Sequence, residues 1–208
     1  MTTRVWRRPP HHVAEDAWRE VTVHPVACAL FAAAALTAVA ARALLGAIEV
    51  LPPLSPGRLA ALLVVLLPTA LAAGVDARTH RLPDVLVLPV YPMLAAVLLV
   101  TALVDADGGP AGRVVLAGLV AAAATALLHL VTPAGLGFGD VKLVPPLAAL
   151  CAWDGWLGPM VWLVASWTSA GVAALVLLVT RQVSRGSSIP LGPHLVVGAL
   201  VAVVLAPV

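Results

Sequence analysis

The sequence predicts an all-α fold, a polytopic transmembrane helical bundle of about seven helices with its amino terminus in the cytoplasm. Three observations predict it. The 208 residues are 62% hydrophobic with a mean hydropathy of +1.04, well above the roughly 45–50% apolar usage of soluble domains. Charged residues fall to 11%, against about 25% in soluble domains. The apolar residues are gathered into runs near the roughly 20 needed to cross a bilayer, and turns rich in Gly, Pro and charge separate them.

Residues 1–24 are polar and carry Arg4, Arg7 and Arg8 well before the first apolar run, so they read as a cytoplasmic segment ahead of a retained anchor. A cleaved leader would place a shorter core, of roughly 7–15 residues, directly after its basic start. The first run covers about residues 25–48, and a proline-rich turn leads into the second at about 58–75. Pro83-Asp84 opens a third at about 84–104, since proline suits the first helical turn. An acidic, glycine-rich turn at 105–112 precedes the fourth, about 112–131. The fifth, about 141–156, is short for a span and follows a stretch, 132–139, with one proline, three glycines and no charge before Asp140. That stretch is expected to dip into the membrane beside a hydrated pocket, because irregular backbone at such depth must be covered by protein or line a wet cavity. The sixth and seventh runs cover about 159–180 and 190–207. Residues 25–208 therefore form one membrane domain, with no room for a separate soluble domain.

Nine basic residues, Arg4, Arg7, Arg8, Arg19, Arg78, Arg81, Lys142, Arg181 and Arg185, fall on one side of this arrangement, and three, Arg42, Arg58 and Arg113, on or near the other. The excess orients the amino terminus inward and the carboxyl terminus outward. Scattered at segment ends, these residues make no basic patch of nucleic-acid size, so lipids are expected as partners and nucleic acid is not. Cys28 and Cys151 sit in apolar surroundings without a Cys-x-x-Cys pair and read as buried fillers, with neither a metal site nor a cofactor implied. Asp105, Asp107 and Asp154 read as solvated turn residues, and His129 as a hydrogen-bonded bundle residue. Trp153 and Trp156 are expected in an outer aromatic belt, with Trp162 and Trp167 packing more deeply.

Two carboxylates stand apart from these. Asp76 closes an apolar run ahead of the basic turn Arg78-Thr79-His80-Arg81, and Asp140 follows Gly137-Phe138-Gly139. Ionisable groups at membrane depth are costly and mark function, and both acids fall on the cytoplasmic side. Each has a bland reading, Asp76 as an interfacial ion-pair partner of Arg78 or Arg81 and Asp140 as a helix cap. Taken together they suggest acid/base chemistry: Gly137 and Gly139 remove side chains and allow another chain to approach, and two close carboxylates share one proton. The ionised member can take a proton from attacking water while the protonated one donates to a carbonyl oxygen. Which acts as base stays open, because coupled groups titrate as a pair. Lys142 either pairs in the aspartate region or meets lipid phosphates, the second being the expected role. The alternative function is a small transporter or proton channel with Asp76 and Asp140 as its relay.

These residues resemble the prepilin (type 4 leader) peptidases, membrane aspartyl proteases defined by Gly-x-Gly-Asp. Asp76 lies seven residues before Pro83-Asp84, with Pro89 beyond, and Gly137-Phe138-Gly139-Asp140-Val141-Lys142-Leu143 matches Gly-x-Gly-Asp-x-Lys-Leu. A weaker likeness is Ile189-Pro190-Leu191-Gly192-Pro193, similar to the family's Pro-Phe-Gly-Pro. The resemblance implies that Asp76 and Asp140 are the catalytic pair, with Pro83, Gly137, Gly139 and Lys142 in support. It implies a prepilin or pilin-like substrate, cut at the cytoplasmic face of the plasma (inner) membrane after a short basic leader. Larger relatives carry a methyltransferase region with a Cys-x-x-Cys cluster, for which this sequence has no counterpart, so a peptidase without N-methylation is expected. Pro145-Pro146 departs from the family pattern, and two absent N–H donors are expected to kink the helix or delay its start.

Overall fold

A computed structural model describes residues 21–104, 110–132, 136–182 and 189–205, and every described segment of regular structure is helical. Arg4, Arg7, Arg8, Arg19, the His11-His12 pair, Asp105, Asp107, Ser184, Arg185, Ser187 and Ser188 lie outside the described residues. In chain order the helices are α1 (Pro25–Ala47), α2 (Pro56–Thr79), α3 (Asp84–Val87), α4 (Val90–Val104), α5 (Ala111–Val131), α6 (Phe138–Cys151), α7 (Leu157–Val179) and α8 (Gly192–Leu205). Counted with α3 and α4 as one bent segment, Asp84–Val104, they make the seven expected. The bend falls at Leu88-Pro89, where proline supplies no N–H to the preceding turn.

Among the described residues, five segments are long and apolar enough to cross a membrane: α1, α2, Asp84–Val104, α5 and α7. This is a multi-pass membrane protein. α6 and α8 have 14 residues each, or about 21 Å of helix against a hydrocarbon core of about 30 Å. These short helices are held between longer ones. α2 is the centre of the bundle, packed against α1, α4, α6 and α8, while α5 lies on α6 and α7 on α8. Its face of Ala61, Leu62, Val65, Leu66, Ala70 and Ala73 is fully buried and joins Leu143, Leu147 and Leu150 of α6 in one core. The outward faces of α5 and α7 are broadly apolar, with Leu119, Leu130, Val164 and Leu175 among the exposed side chains, as a lipid-facing surface requires.

Three sequence expectations need correction. α2 runs to Thr79, so Asp76 lies inside its last turn. α6 starts at Phe138 and ends at Cys151, spanning less than the expected 141–156 and beginning before Asp140. Pro145-Pro146 does not delay α6, which begins at Phe138 and stays helical through both residues, each of them buried. One of the freed carbonyls, on Lys142, accepts a hydrogen bond from Tyr91 Oη at 2.8 Å.

The end of the bundle away from the two aspartates is tied together by arginine. Arg58 Nη2 pairs with Asp154 Oδ2 at 3.1 Å and Nη1 donates to the Leu150 carbonyl at 2.6 Å. Asp154 is therefore an ion-pair partner of a buried arginine and not a free turn residue. Arg113 donates to the Ala152 and Trp153 carbonyls, and Arg42 to that of Pro52. Trp153 is buried beneath Arg58, so it takes no place in an outer belt, and Trp162 packs inward with Nε1 donating to the Leu195 carbonyl at 3.0 Å. Trp167, expected to pack, is exposed like Trp156. Cys28 and Cys151 are buried.

Candidate active site

The site is assembled where the last turn of α2 meets the first turns of α6 and α8. Small residues let α2 sit deep enough to carry a carboxylate there: Gly74 brings its backbone against Ala27 and Cys28 of α1, where a Cβ would fall 2.7 Å from Cys28 Cα. Two residues on, Asp76 is 5% exposed. His80 then ends α2 in the left-handed region, φ 53°, with its N–H donating to the Asp76 carbonyl at 2.9 Å. The chain turns through Leu82 and the buried Pro83 into α3.

Gly137 precedes α6 with extended backbone, and Asp140 follows in the first turn. A Cβ on Gly137 would press on Asp140 Oδ2 at 3.3 Å, and one on Gly139 would meet Leu82 at 3.0 Å. Glycine at the first position leaves the carboxylate unobstructed, and at the second it lets α6 close on the turn that follows Asp76. His129 Nδ1 hydrogen-bonds the Leu136 carbonyl at 2.8 Å, and its ring tilts against Phe138, so it braces the approach to this turn.

From the third side, the Gly192 N–H donates to Asp76 Oδ2 at 3.2 Å. The weakest of the three sequence likenesses thus supplies a direct partner of Asp76. Arg78 and Arg81 are exposed, and among the described residues no ion pair joins either to Asp76. Lys142 also differs from expectation. Its Nζ lies 2.8 and 2.9 Å from the two Asp84 carboxylate oxygens and 4.6 Å from the centre of the Phe138 ring, which fastens one aspartate-bearing segment to the other. Asp84 was legible only as half of Pro83-Asp84, although an acid at a helix start is a natural partner for a lysine on the adjoining helix. Tyr91 carried no signal in the sequence.

Burial, and after it the neighbouring Asp76 carboxylate, push the Asp140 carboxyl up to about 6, while a hydrogen bond from the Gly137 backbone pulls the other way. The two acids are near enough to feel each other, and their surroundings differ. Asp76 is enclosed and held by a backbone donor, whereas Asp140 is half-buried beside the exposed Gly137 and Phe138. Such a pair can hold one proton and pass it in either direction.

An apolar cavity of about 330 Å³ opens between α5 and α7, floored by α6 and α8. Leu136 and Leu191 line it, and each immediately precedes a glycine of the site. Its other walls include Leu128, Val144, Trp162 and Trp167.

The family model described as the type IV leader peptidase family matches residues 60–179 of this chain. The chain is 33% identical over 128 residues to a prepilin leader peptidase/N-methyltransferase of Escherichia coli K12, covering 61% of this chain and 55% of that protein. It is 36% identical over 134 residues to the protein of the same name from Pseudomonas aeruginosa, covering 62% and 43%. The chain spans about half the length of these curated relatives. No solved structure matches it.

Proposed function

The chain belongs to the type IV leader peptidase family, and we propose that it is an aspartic endopeptidase that removes the leader of prepilins or pilin-like proteins at the cytoplasmic face of the plasma membrane, with Asp76 and Asp140 as its catalytic pair. The observation that carries this reading is the meeting of three separate segments at one end of a membrane bundle, where the Gly192 N–H holds Asp76 and the Gly137 turn presents Asp140. In the reaction, one carboxylate takes a proton from a water molecule as its oxygen bonds to the scissile carbonyl carbon. The other donates its proton to the carbonyl oxygen, and the roles reverse as the C–N bond breaks and the amine leaves protonated. Lys142 serves this chemistry indirectly, by fastening the Asp140 turn to Asp84. Gly137 and Gly139 keep the approach open and the two segments close, and Pro83 fixes the turn between Asp76 and Asp84.

The apolar cavity supports a substrate with a hydrophobic helix just beyond the cut, since its walls lead from the lipid-facing gap between α5 and α7 to Leu136 and Leu191. Methylation of the new amino terminus is not part of the reading: the chain's only cysteines, Cys28 and Cys151, are buried on different helices and form no Cys-x-x-Cys. A proton or ion relay fits less well. Between Asp76 and Arg58 the buried face of α2 carries one polar side chain, Thr69, whose hydroxyl is spent on the Val65 carbonyl of its own helix.

The test is cleavage of a leader-bearing prepilin in membranes containing this protein. Asp76→Asn and Asp140→Asn should each abolish it, and mass spectrometry of the product should find an unmodified amino terminus. Undiminished cleavage in either variant would overturn the paired mechanism.

A further inference from the structure

We propose that Tyr91 is a positioning residue for Asp140, its hydroxyl standing in for the helix hydrogen bond that Pro146 removes. The inference rests on the aspartic-peptidase reading above for its meaning, and on separate contacts for its geometry.

In an α-helix the N–H of residue 146 would donate to the carbonyl of residue 142. Pro146 has no N–H, and a proline inside a helix ordinarily kinks it. Here the Lys142 carbonyl accepts from Tyr91 Oη at 2.8 Å instead, and α6 runs on as a helix from Phe138 to Cys151. The same lysine is held by its side chain, since Nζ bonds both oxygens of Asp84 at 2.8 and 2.9 Å. Both grips come from one bent segment, Asp84–Val104, and both fall two residues beyond Asp140. Tyr91 follows the bend at Leu88-Pro89, and its own N–H donates to the Leu88 carbonyl at 3.3 Å, within that turn.

The lever arm gives the consequence. Asp140 lies six residues before Pro146, about 9 Å along the axis. A proline kink of about 20° there would swing it by about 3 Å, and a misplacement of about 1 Å at a reacting group already costs about a hundredfold in rate. Pro146 is therefore tolerated after the aspartate because a hydroxyl from the neighbouring helix replaces its missing donor.

The experiment is a double-mutant cycle in the full chain: wild type, Tyr91→Phe, Pro146→Ala, and the two together. Alanine at 146 restores the N–H to the Lys142 carbonyl, so the hydroxyl becomes dispensable. Because Asp84 still holds the Lys142 side chain and limits the swing, cleavage of a leader-bearing prepilin in membranes should show Tyr91→Phe lowering kcat about tenfold with KM within twofold. In the Pro146→Ala background the same change should cost less than threefold. Hydrogen exchange of the amides at 138–144 should accelerate in Tyr91→Phe and return to the reference rate in the double variant. A kcat within twofold of wild type for Tyr91→Phe, or an equal loss in both backgrounds, overturns the proposal. Should the wild type cleave nothing, the peptidase reading fails by itself, and the exchange cycle still decides: unaltered exchange in Tyr91→Phe, or equal acceleration in both backgrounds, overturns the role of Tyr91.

Discussion

Replacing Gly192 with alanine separates the placement of Asp76 from the stability of the bundle. A Cβ on Gly192 falls 2.7 Å from Asp76 Oδ2 and 3.3 Å from its Cγ, about 0.7 Å inside ordinary van der Waals contact at the nearer atom. Gly192 is not in the left-handed region, so the cost of alanine there is steric and not conformational. The N–H of Gly192 donates to that same oxygen at 3.2 Å, and the carboxylate therefore has to retreat along the direction that breaks its own hydrogen bond. Asp76 is 5% exposed, on a helix whose neighbouring Ala72, Ala73 and Val75 are fully buried, so the backbone cannot follow. With about 1 Å of misplacement costing about a hundredfold, a shift of about 0.7 Å with loss of the donor should lower kcat by about 10- to 100-fold. Alanine is also the better helix former, by up to about 1 kcal/mol in a helix interior and less at a first turn, so α8 should not weaken. The assay is leader cleavage in membranes beside thermal unfolding of the purified protein. The expected result is an unchanged Tm with cleavage down by one to two orders of magnitude. Cleavage within twofold of wild type would refute the argument that Gly192 positions Asp76, and a fall in Tm matching the loss of activity would trace the defect to folding instead.

Asp140→Asn should stabilise the protein at alkaline pH and leave it unchanged in acid. Because the folded chain holds the Asp140 proton up to about 6, against an ordinary value of 3.8, stability falls as pH rises between those values and is flat above them. After allowance for the partial solvent access of Asp140, the variant should gain about 1–2 kcal/mol at pH 8 and nothing below pH 4, and chemical denaturation at the two pH values checks it. Asp84→Lys and Lys142→Asp should each reduce cleavage several-fold, and the double exchange should recover part of the loss. A pair as exposed as this one contributes only about 0–1 kcal/mol to stability, so unfolding midpoints should barely move. Arg58→Ala should destabilise by about 3–5 kcal/mol, since it strands Asp154 and the Leu150 carbonyl at the far end of α6. Arg58→Met with Asp154→Asn should recover much of that in the same denaturation assay.

The class of fold was legible because a membrane helix must satisfy its own backbone and face lipid, which fixes both length and composition of each run. Asp76 and Asp140 were legible for the same reason, as charges that the surrounding apolar sequence cannot solvate. Local pattern did not give the start of α6, because the apolar run begins at Val141 whereas Gly137 fixes the first helical residue at Phe138. The partners of the charged residues were misread. Lys142 was assigned to lipid and Asp154 to solvent, yet Asp84 and Arg58 hold them. Those pairs join residues 58 and 96 positions apart, and single-chain pattern carries no record of which turn faces which. Tyr91 was invisible for a further reason: a tyrosine at a segment end looks like an interfacial anchor until the carbonyl it meets is known.

Two of the three arginines that count against the inward orientation, Arg58 and Arg113, become intelligible once α6 is seen to be too short to span. A helix of 14 residues between membrane-length neighbours cannot take its depth from the match of its own length to the bilayer, so protein contacts have to set it. At its far end Arg58 and Arg113 bond the carbonyls of Leu150, Ala152 and Trp153, which satisfies acceptors that a helix terminus leaves free and places positive charge at the negative end of its dipole. At its near end Asp84 and Tyr91 hold Lys142. Between these grips Leu143 to Cys151 are all buried. Arg58 is also the third residue of α2, the helix that carries Asp76 near its opposite end. The contact between Arg58 and the end of α6 therefore sets the sliding register of the two helices, and that register decides whether Asp76 and Asp140 arrive at the same height. The arginines belong to the geometry of the aspartates, although a bundle length separates them.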